Sequence, residues 1–318
     1  MLRVALRAIL LAGFSVAFAP FTQAQTQLPQ GAVEVPETAT YSRPADIQIN
    51  SMEVMQPTKA RGLLHSFQLD LDVGNSSSKS KDRAHPDKRS TDFGTTSLRF
   101  GVADRGYGAV GFSRSSNEVD SAGSSGDRTH TEIDTNSLSA GGGYWVIPRL
   151  ALGGVVGYDR GNGGLAYPPA GPNETHTRAY QWGPYATVRL TPDMQVPLDW
   201  TTTYLMGRSR QTFTANSPDH DNGRTQSWVN TLSGSYPIGD FRLRGAVSWT
   251  HVASQHNGDP AFLAGAAPPP GDRNWYTLSA GVGYRISDNW EARVGGATWL
   301  GNSQTRFQQL TVGVSTSL

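Results

Sequence analysis

The sequence predicts an all-β fold: a twelve-stranded antiparallel transmembrane β-barrel with a short irregular N-terminal arm. Three observations predict it. From about residue 62 onward apolar residues alternate with polar or small ones, every second connection is a tight turn, and aromatic residues fall in two bands. The alternation is plainest in LSAGVGYRISDNWEARVGGATWL, residues 278–300. Leu278, Ala280, Val282, Tyr284 and Ile286 share one face of a strand. After Asp288-Asn289 the pattern resumes with Trp290, Ala292 and Val294.

The elements follow in order. Residues 1–24 read as a secretory signal peptide: Arg3 and Arg7 precede an apolar run from Ala8 to Ala19, and Thr22-Gln23-Ala24 offers a cleavage site. That run is too short to span a bilayer as a helix. Residues 25–61, punctuated by Pro29, Pro36 and Pro44, show no period and read as a periplasmic or intraluminal arm. Residues 62–318 form the barrel. Its first strands are 64–74 and 95–103, and the turn Asp104-Arg105-Gly106 leads into 107–114. Strands 133–146 and 150–160 flank Ile147-Pro148-Arg149, and strands 178–190 and 195–208 flank Thr191-Pro192-Asp193-Met194. Strands 225–238 and 241–253 flank Gly239-Asp240, strands 275–286 and 290–300 flank Ser287-Asp288-Asn289, and 307–318 closes the set.

Most of these strands have lengths suited to crossing a bilayer, which takes about 9–11 tilted residues. The remaining connections, 75–91, 115–132, 161–177, 211–224 and 254–274, are longer and polar, whereas 301–306 is short. Tight turns confined to one end are a feature of outer-membrane barrels, with short periplasmic turns and long outer loops. Tyr144, Tyr236, Phe241, Tyr284 and Trp290 lie near the tight turns. Tyr158, Tyr180, Trp182, Tyr204, Trp228, Trp249 and Tyr276 lie near the loops, so two interfacial girdles are expected.

Composition narrows the function classes. The net charge of +1 and the lack of a basic stripe argue against nucleic acid as a partner. Cysteine is absent, which favours a fold closed by its own hydrogen bonds. The mean hydropathy of −0.43 does not argue for a soluble protein, because alternating strands average to mild polarity.

The barrel texture carries a resemblance. LSAGGGYWVIPRLALGGVVGYDRG (residues 138–161), echoed by LSAGVGYRISDNWEARVGG, resembles the strand-turn-strand units of Gram-negative outer-membrane barrels. It is most similar to the twelve-stranded translocator domain of autotransporters. The terminal LTVGVSTSL, with Leu310, Val312, Val314, Thr316 and Leu318 at alternate positions, resembles the assembly signal of those barrels. That likeness implies the bacterial outer membrane as location and the barrel assembly machinery as a partner. It departs from the family in ending with leucine rather than an aromatic. A second departure is the short segment before the barrel, which does not support secretion of a passenger.

Parity places Asp70, Asp72, Arg99, Arg189, Asp199, Arg242, Arg244, Arg285, Glu291 and Arg293 on the lumen face. Two readings stay open. A charge ring at the periplasmic mouth, built from Arg189, Arg242, Arg285 and Arg293, would favour small anionic solutes. Alternatively the arginines pair with the acids or with the arm and hold the lumen together. An outer basic loop holds Lys79, Lys81, Arg83, Lys88 and Arg89, and it could meet the phosphates of outer-membrane lipid or lipopolysaccharide. A solvated loop is the plainer alternative.

No cofactor, metal or catalytic residue is expected. In HVASQHNGD, His251 and Ser254 differ by three residues and should point to opposite faces, so no nucleophile–base pair forms. His256 and Ser254 share a parity in an unfamiliar order, and SPDHDNG, with Asp219, His220 and Asp221, reads as a polar turn. The seven histidines show no paired ligand spacing. The expected function is a narrow pore or passive conduit. The alternative is a non-conducting surface barrel whose outer loops mediate adhesion or envelope interactions.

Overall fold

The computed structural model describes residues 63–80, 87–122, 128–167, 171–191, 196–213, 220–256, 274–300 and 305–317. They form twelve antiparallel strands: β1 (Leu64–Ser80), β2 (Asp87–Val102), β3 (Gly106–Ala122), β4 (Arg128–Ile147), β5 (Leu150–Tyr167), β6 (Gly171–Arg189), β7 (Leu198–Phe213), β8 (His220–Ile238), β9 (Phe241–His256), β10 (Asn274–Ser287), β11 (Trp290–Leu300) and β12 (Thr305–Ser317). Each strand pairs with its sequence neighbours, and β1 pairs with β12 from Gln68↔Ser317 to Ser80↔Thr305. Closure leaves no sheet edge, which a bilayer demands because lipid cannot satisfy a free N–H or C=O. The signal peptide (1–24) and the arm (25–61) lie outside the described residues.

The alternation resolves into two faces. Val110, Phe112, Leu138, Leu152, Val156, Leu232, Val247, Leu278, Val294 and Leu310 are exposed on the outside. Such a continuous apolar exterior would be untenable in water and suits acyl chains. Inside, the complementary positions are mostly Ser, Thr, Gly and charged residues. Tyr144, Tyr236, Phe241 and Trp290 are exposed near the tight turns. Tyr180, Trp228, Trp249 and Tyr276 are exposed in the upper band, where Tyr158–Tyr180 and Tyr204–Trp228 pair across strands at 4.9 and 4.7 Å. Phe241 and Tyr284 pair at 5.0 Å at the lower end.

The turns at 103–105, 148–149, 239–240 and 288–289 are as tight as the sequence requires. Gly239 adopts φ +59°, a left-handed conformation in which a side chain is strained, so the β8–β9 turn depends on glycine.

One expectation needs correction. Much of what reads as outer loop is strand: β1 to β9 run 16 to 20 residues, so their ladders continue well past the upper aromatic band. Lys79, Lys88 and Arg89 therefore belong to the β1–β2 ladder, with Lys79 directly opposite Lys88, whereas Lys81 and Arg83 lie outside the described residues. The reason is physical. Above the bilayer both faces of a strand meet water, so the ladder persists while the apolar alternation that announces it disappears. In the terminal stretch Leu310, Val312, Val314 and Thr316 hold alternate register positions, the first two exposed and the last two buried. Leu318 lies outside the described residues.

Candidate functional site

The charged lumen residues cluster at the turn end of the barrel, in three separate groups. The largest joins β1, β2 and β11. Arg99 donates from Nε and Nη2 to Oδ2 of Asp70 at 2.9 and 2.7 Å. Arg293 donates from Nη1 to Oδ1 of Asp70 at 2.7 Å and from Nη2 to both carboxylate oxygens of Asp72 at 2.9 Å. Asp70 thus lies between two guanidinium groups. Asp70 and Arg99 are buried, so each charge needs its partner.

The second group joins β6 and β7. Arg189 grips Asp199 in a two-point contact, Nε to Oδ1 at 2.8 Å and Nη2 to Oδ2 at 2.9 Å. Its guanidinium also lies over the Trp145 ring at 5.0 Å, a cation–π contact. Beside it, Tyr185 donates to the Tyr107 hydroxyl at 2.8 Å, and Tyr107 packs on Trp145 at 6.5 Å. These aromatics lie flat on the inner wall because glycines make room: a Cβ on Gly143 would collide with Tyr107, and one on Gly153 with Tyr185. With Ala151, Val155, Leu205 and Val229 they form the buried apolar cluster of β3–β8.

The third group pairs Arg244 of β9 with Glu291 of β11 at 2.6 Å, packed over Gly283. Arg285 stands apart. It pairs with Asp240 of the β8–β9 turn at 3.1 Å, and both side chains are more than half exposed. For Arg242 no acidic side chain lies within ion-pair distance among the described residues. The predicted four-arginine ring is therefore not a ring. Arg189 and Arg293 are neutralised by buried acids, Arg285 sits on the rim, and the pairing alternative describes the geometry better.

Toward the loop end the described inner wall is mostly neutral, the buried carboxylate of Asp159 on β5 being an exception. Thr91, Thr95, Ser113, Asn117, Thr135, Ser137, Thr177, Gln181, Thr203 and Ser227 are all buried there or along the mid-wall. Thr91 donates to Asn117 at 2.9 Å, and Asn117 donates to the Ile133 carbonyl at 3.1 Å. A cavity of about 310 Å³ lies within the barrel, bordered by Thr95, Arg99, Asp199, Ser248, Thr277 and Arg293 among others. The amide of Gln181 and the hydroxyls of Ser227 and Ser235 are buried without a hydrogen-bond partner among the described residues.

Sequence reading assigned the aromatics to the lipid face and missed those inside. Besides Tyr107, Trp145 and Tyr185, a second inward group stacks Trp299 on Phe307 at 4.8 Å beside Trp275 at 6.3 Å. Parity could have found them: Tyr185 and Tyr107 lie an even number of residues from Arg189 and Arg99 on the same strand or across one tight turn.

The expected geometry of the HVASQHNGD segment also needs correction. The β8–β9 register shifts at Gln226/Ser227, so Val252 faces Ser227 while Ser254 faces Gln226. The bulge at Ala253 reverses the parity and returns Ser254 to the outer face with His251. Their hydrogen bonds nonetheless lead elsewhere. His251 Nδ1 meets Oδ1 of Asn274 at 2.8 Å, and the Ser254 hydroxyl donates to Oε1 of Gln226 at 3.1 Å. The side chains of Asp219, His220, Asp221 and His256 lie outside the described residues.

No family model matches the sequence, and no curated protein matches it. Solved structures do match by shape. The translocator domain of the autotransporter NalP from Neisseria meningitidis superposes with a TM-score of 0.65 at 13% identity, covering 80% of this chain and 88% of that one. The β domain of the Bordetella autotransporter BrkA gives 0.53 at 12% identity, covering 79% and 99%. An outer-membrane channel from Pseudomonas putida also gives 0.53, at 14% identity, covering 82% and 97%. At these identities the likeness is one of fold: this chain has the closed twelve-stranded barrel architecture of an autotransporter translocator domain.

Proposed function

We propose that this protein spans the bacterial outer membrane and that its lumen is a narrow, passive conduit for water and small polar solutes. The observation that carries this reading is the polar inner wall around an internal cavity. Buried polar atoms need partners, and those of Gln181, Ser227 and Ser235 find none among the described residues. Ser235 lines a cavity far larger than the ~10–15 Å³ one water molecule requires. Solved barrels of this shape include one described as an outer-membrane channel, which is consistent with the same use.

Ion pairing bears on selectivity. Asp70, Asp72, Asp199 and Glu291 neutralise the arginines beside them, so the conduit is expected to prefer anions only weakly. Single-channel recording of the refolded barrel in a planar bilayer tests this, run beside a version lacking residues 25–61. Small, weakly selective steps support the conduit. Steps seen only in the truncated version make the arm a plug. Silence from both, with folding demonstrated, sinks the proposal.

A second reading rests on a different observation, the ladders of β3–β8 that rise beyond the upper aromatic band. They suit a barrel that presents its outer rim to partners and conducts nothing. Adhesion lost on exchanging the outer connections, with the barrel intact, would favour it.

A further inference from the structure

The outer face of β5–β8 carries an unusual row of arginines immediately above the upper aromatic band. In the registered ladders Arg160 lies opposite Arg178, Arg178 opposite Arg210, and Arg208 opposite Arg224. All five are exposed, and they alternate with inward residues such as Asp159, Thr177 and Thr225, so they share the outer face. Arg160 follows Tyr158 on that face and Arg178 precedes Tyr180, each a step of two residues, or roughly 7 Å along the strand. The Tyr158–Tyr180 and Tyr204–Trp228 pairs mark headgroup depth. The arginines therefore stand at the level of the outer headgroups.

Like charges placed directly opposite each other across strands oppose folding. Here Arg178 has an arginine on both sides, and no acidic side chain lies within ion-pair distance of any of the five among the described residues. Asp134, diagonal to Arg160 in the register, is engaged by Arg114 at 3.4 Å. Among the described side chains, the exposed acids of this outer surface sit to one side, on β2 to β4, where Glu118 faces Glu132. A barrel that segregates its exposed charge in this way leaves the basic side to be neutralised from outside.

We propose that Arg160, Arg178, Arg208, Arg210 and Arg224 form a binding site for phosphate groups of the phosphorylated glycolipid in the outer leaflet. Guanidinium groups suit this ligand because they meet phosphate oxygens two at a time. Strand spacing of about 4.8 Å gives neighbouring arginines a common phosphate or an adjacent pair. The site rests on the membrane-spanning reading and is independent of whether the lumen conducts.

The test starts with the full chain inserted into neutral phosphatidylcholine vesicles, with insertion scored by protease protection. Failure to insert would sink the membrane reading itself. Binding of purified lipopolysaccharide is then compared with binding of the same material after phosphatase treatment. The expected result is preference for the phosphorylated form, falling at least tenfold in an Arg160→Gln, Arg178→Gln, Arg210→Gln triple variant that still inserts. If that variant does not insert, the lysine counterparts Arg160→Lys, Arg178→Lys, Arg210→Lys serve instead. They retain charge but lose the two-point grip, and a weaker but definite loss is expected. Lys79→Gln with Lys88→Gln should change nothing. Equal binding by wild type and the ladder variants overturns the site. Full competition by millimolar inorganic phosphate overturns the lipid assignment and makes it a free-phosphate site.

Discussion

Below the upper aromatic band and above it, the same ladders are written in two different codes. Between Tyr236 and Trp228 on β8 the outward residues include Gly234 and Leu232, and the inward ones include Ser235, Ser233, Thr231 and Val229. Apart from Asn230 the outside is apolar or glycine and the inside largely small or polar, a pattern that suits a bilayer. Between Ser115 and Asp120 on β3 the residues are Ser, Ser, Asn, Glu, Val and Asp, polar on both faces, yet the backbone register to β4 continues without a break. The difference teaches that alternation reports the solvent on each side of a strand, whereas the ladder reports only the hydrogen bonding of the backbone.

The largest expected effect comes from the charged group at the lower end of the wall. Arg293→Ala leaves Asp70 with one cation and Asp72 with none, and uncompensated charge of this kind costs about 3–5 kcal/mol. Equilibrium unfolding by urea in vesicles reads this directly. Adding Asp72→Asn to Arg293→Ala should recover a good part of the loss, because it removes one of the two stranded charges. A double variant no better than the single one would mean that Arg293 acts through packing, not pairing.

Next comes a test of the lipid face. Leu232 is exposed midway between Tyr236 and Trp228, opposite Trp200 and Val247. Leu232→Arg should destabilise the inserted barrel by about 2–4 kcal/mol, the midplane cost of a cation. The same change at Glu132, on the outer face of β4 above the aromatic band, should cost almost nothing and would relieve the facing Glu118. Similar losses at both sites would erase the distinction between the two regions.

These comparisons explain what was legible. All twelve strands and four lower turns could be read because each hairpin inside the bilayer repeats the alternation and ends at Gly239-Asp240, Asp288-Asn289 or a similar pair; of the turn expected at Thr191-Pro192-Asp193-Met194, residues 192–195 lie outside the described residues, and β7 starts at Leu198 rather than at 195. Strand ends could not be read, because residues such as Ser76, Thr91 and Asn117 occupy inner positions while their outer neighbours are polar too. The inward assignment of Asp70, Arg99, Arg189 and Arg293 followed from parity. Their partners did not, since Asp70 and Arg293 are separated by 223 residues and meet only across the β12 seam. The bulge at Ala253 and the arginine row of β5–β8 needed the register itself. A single inserted residue reverses parity, and facing residues on different strands have no fixed spacing in sequence.

A smaller effect is expected at the aromatic group beside Arg189. Tyr185→Phe removes the donor to Tyr107 and should cost about 0.5–1.5 kcal/mol without disturbing the ring over Gly153. A larger loss would mean that the hydroxyl pair, not the apolar contact, sets this wall.

The smallest effect should follow from removing the upper β3–β4 ladder altogether. Replacing residues 119–131 with Asn-Gly joins Glu118 to Glu132, which already face each other, through the two-residue turn that antiparallel strands favour. The described part of the deleted stretch lies on the loop side of the buried Asn117 and Ile133; it takes no residue from the lower apolar cluster or the lumen ion pairs and removes only the exposed His130–Asp120 contact at 2.8 Å. The barrel should insert and resist urea as the full chain does. If it instead fails to insert, the upper ladders are part of what closes the barrel, and the division between a membrane-defined wall and a dispensable rim is wrong.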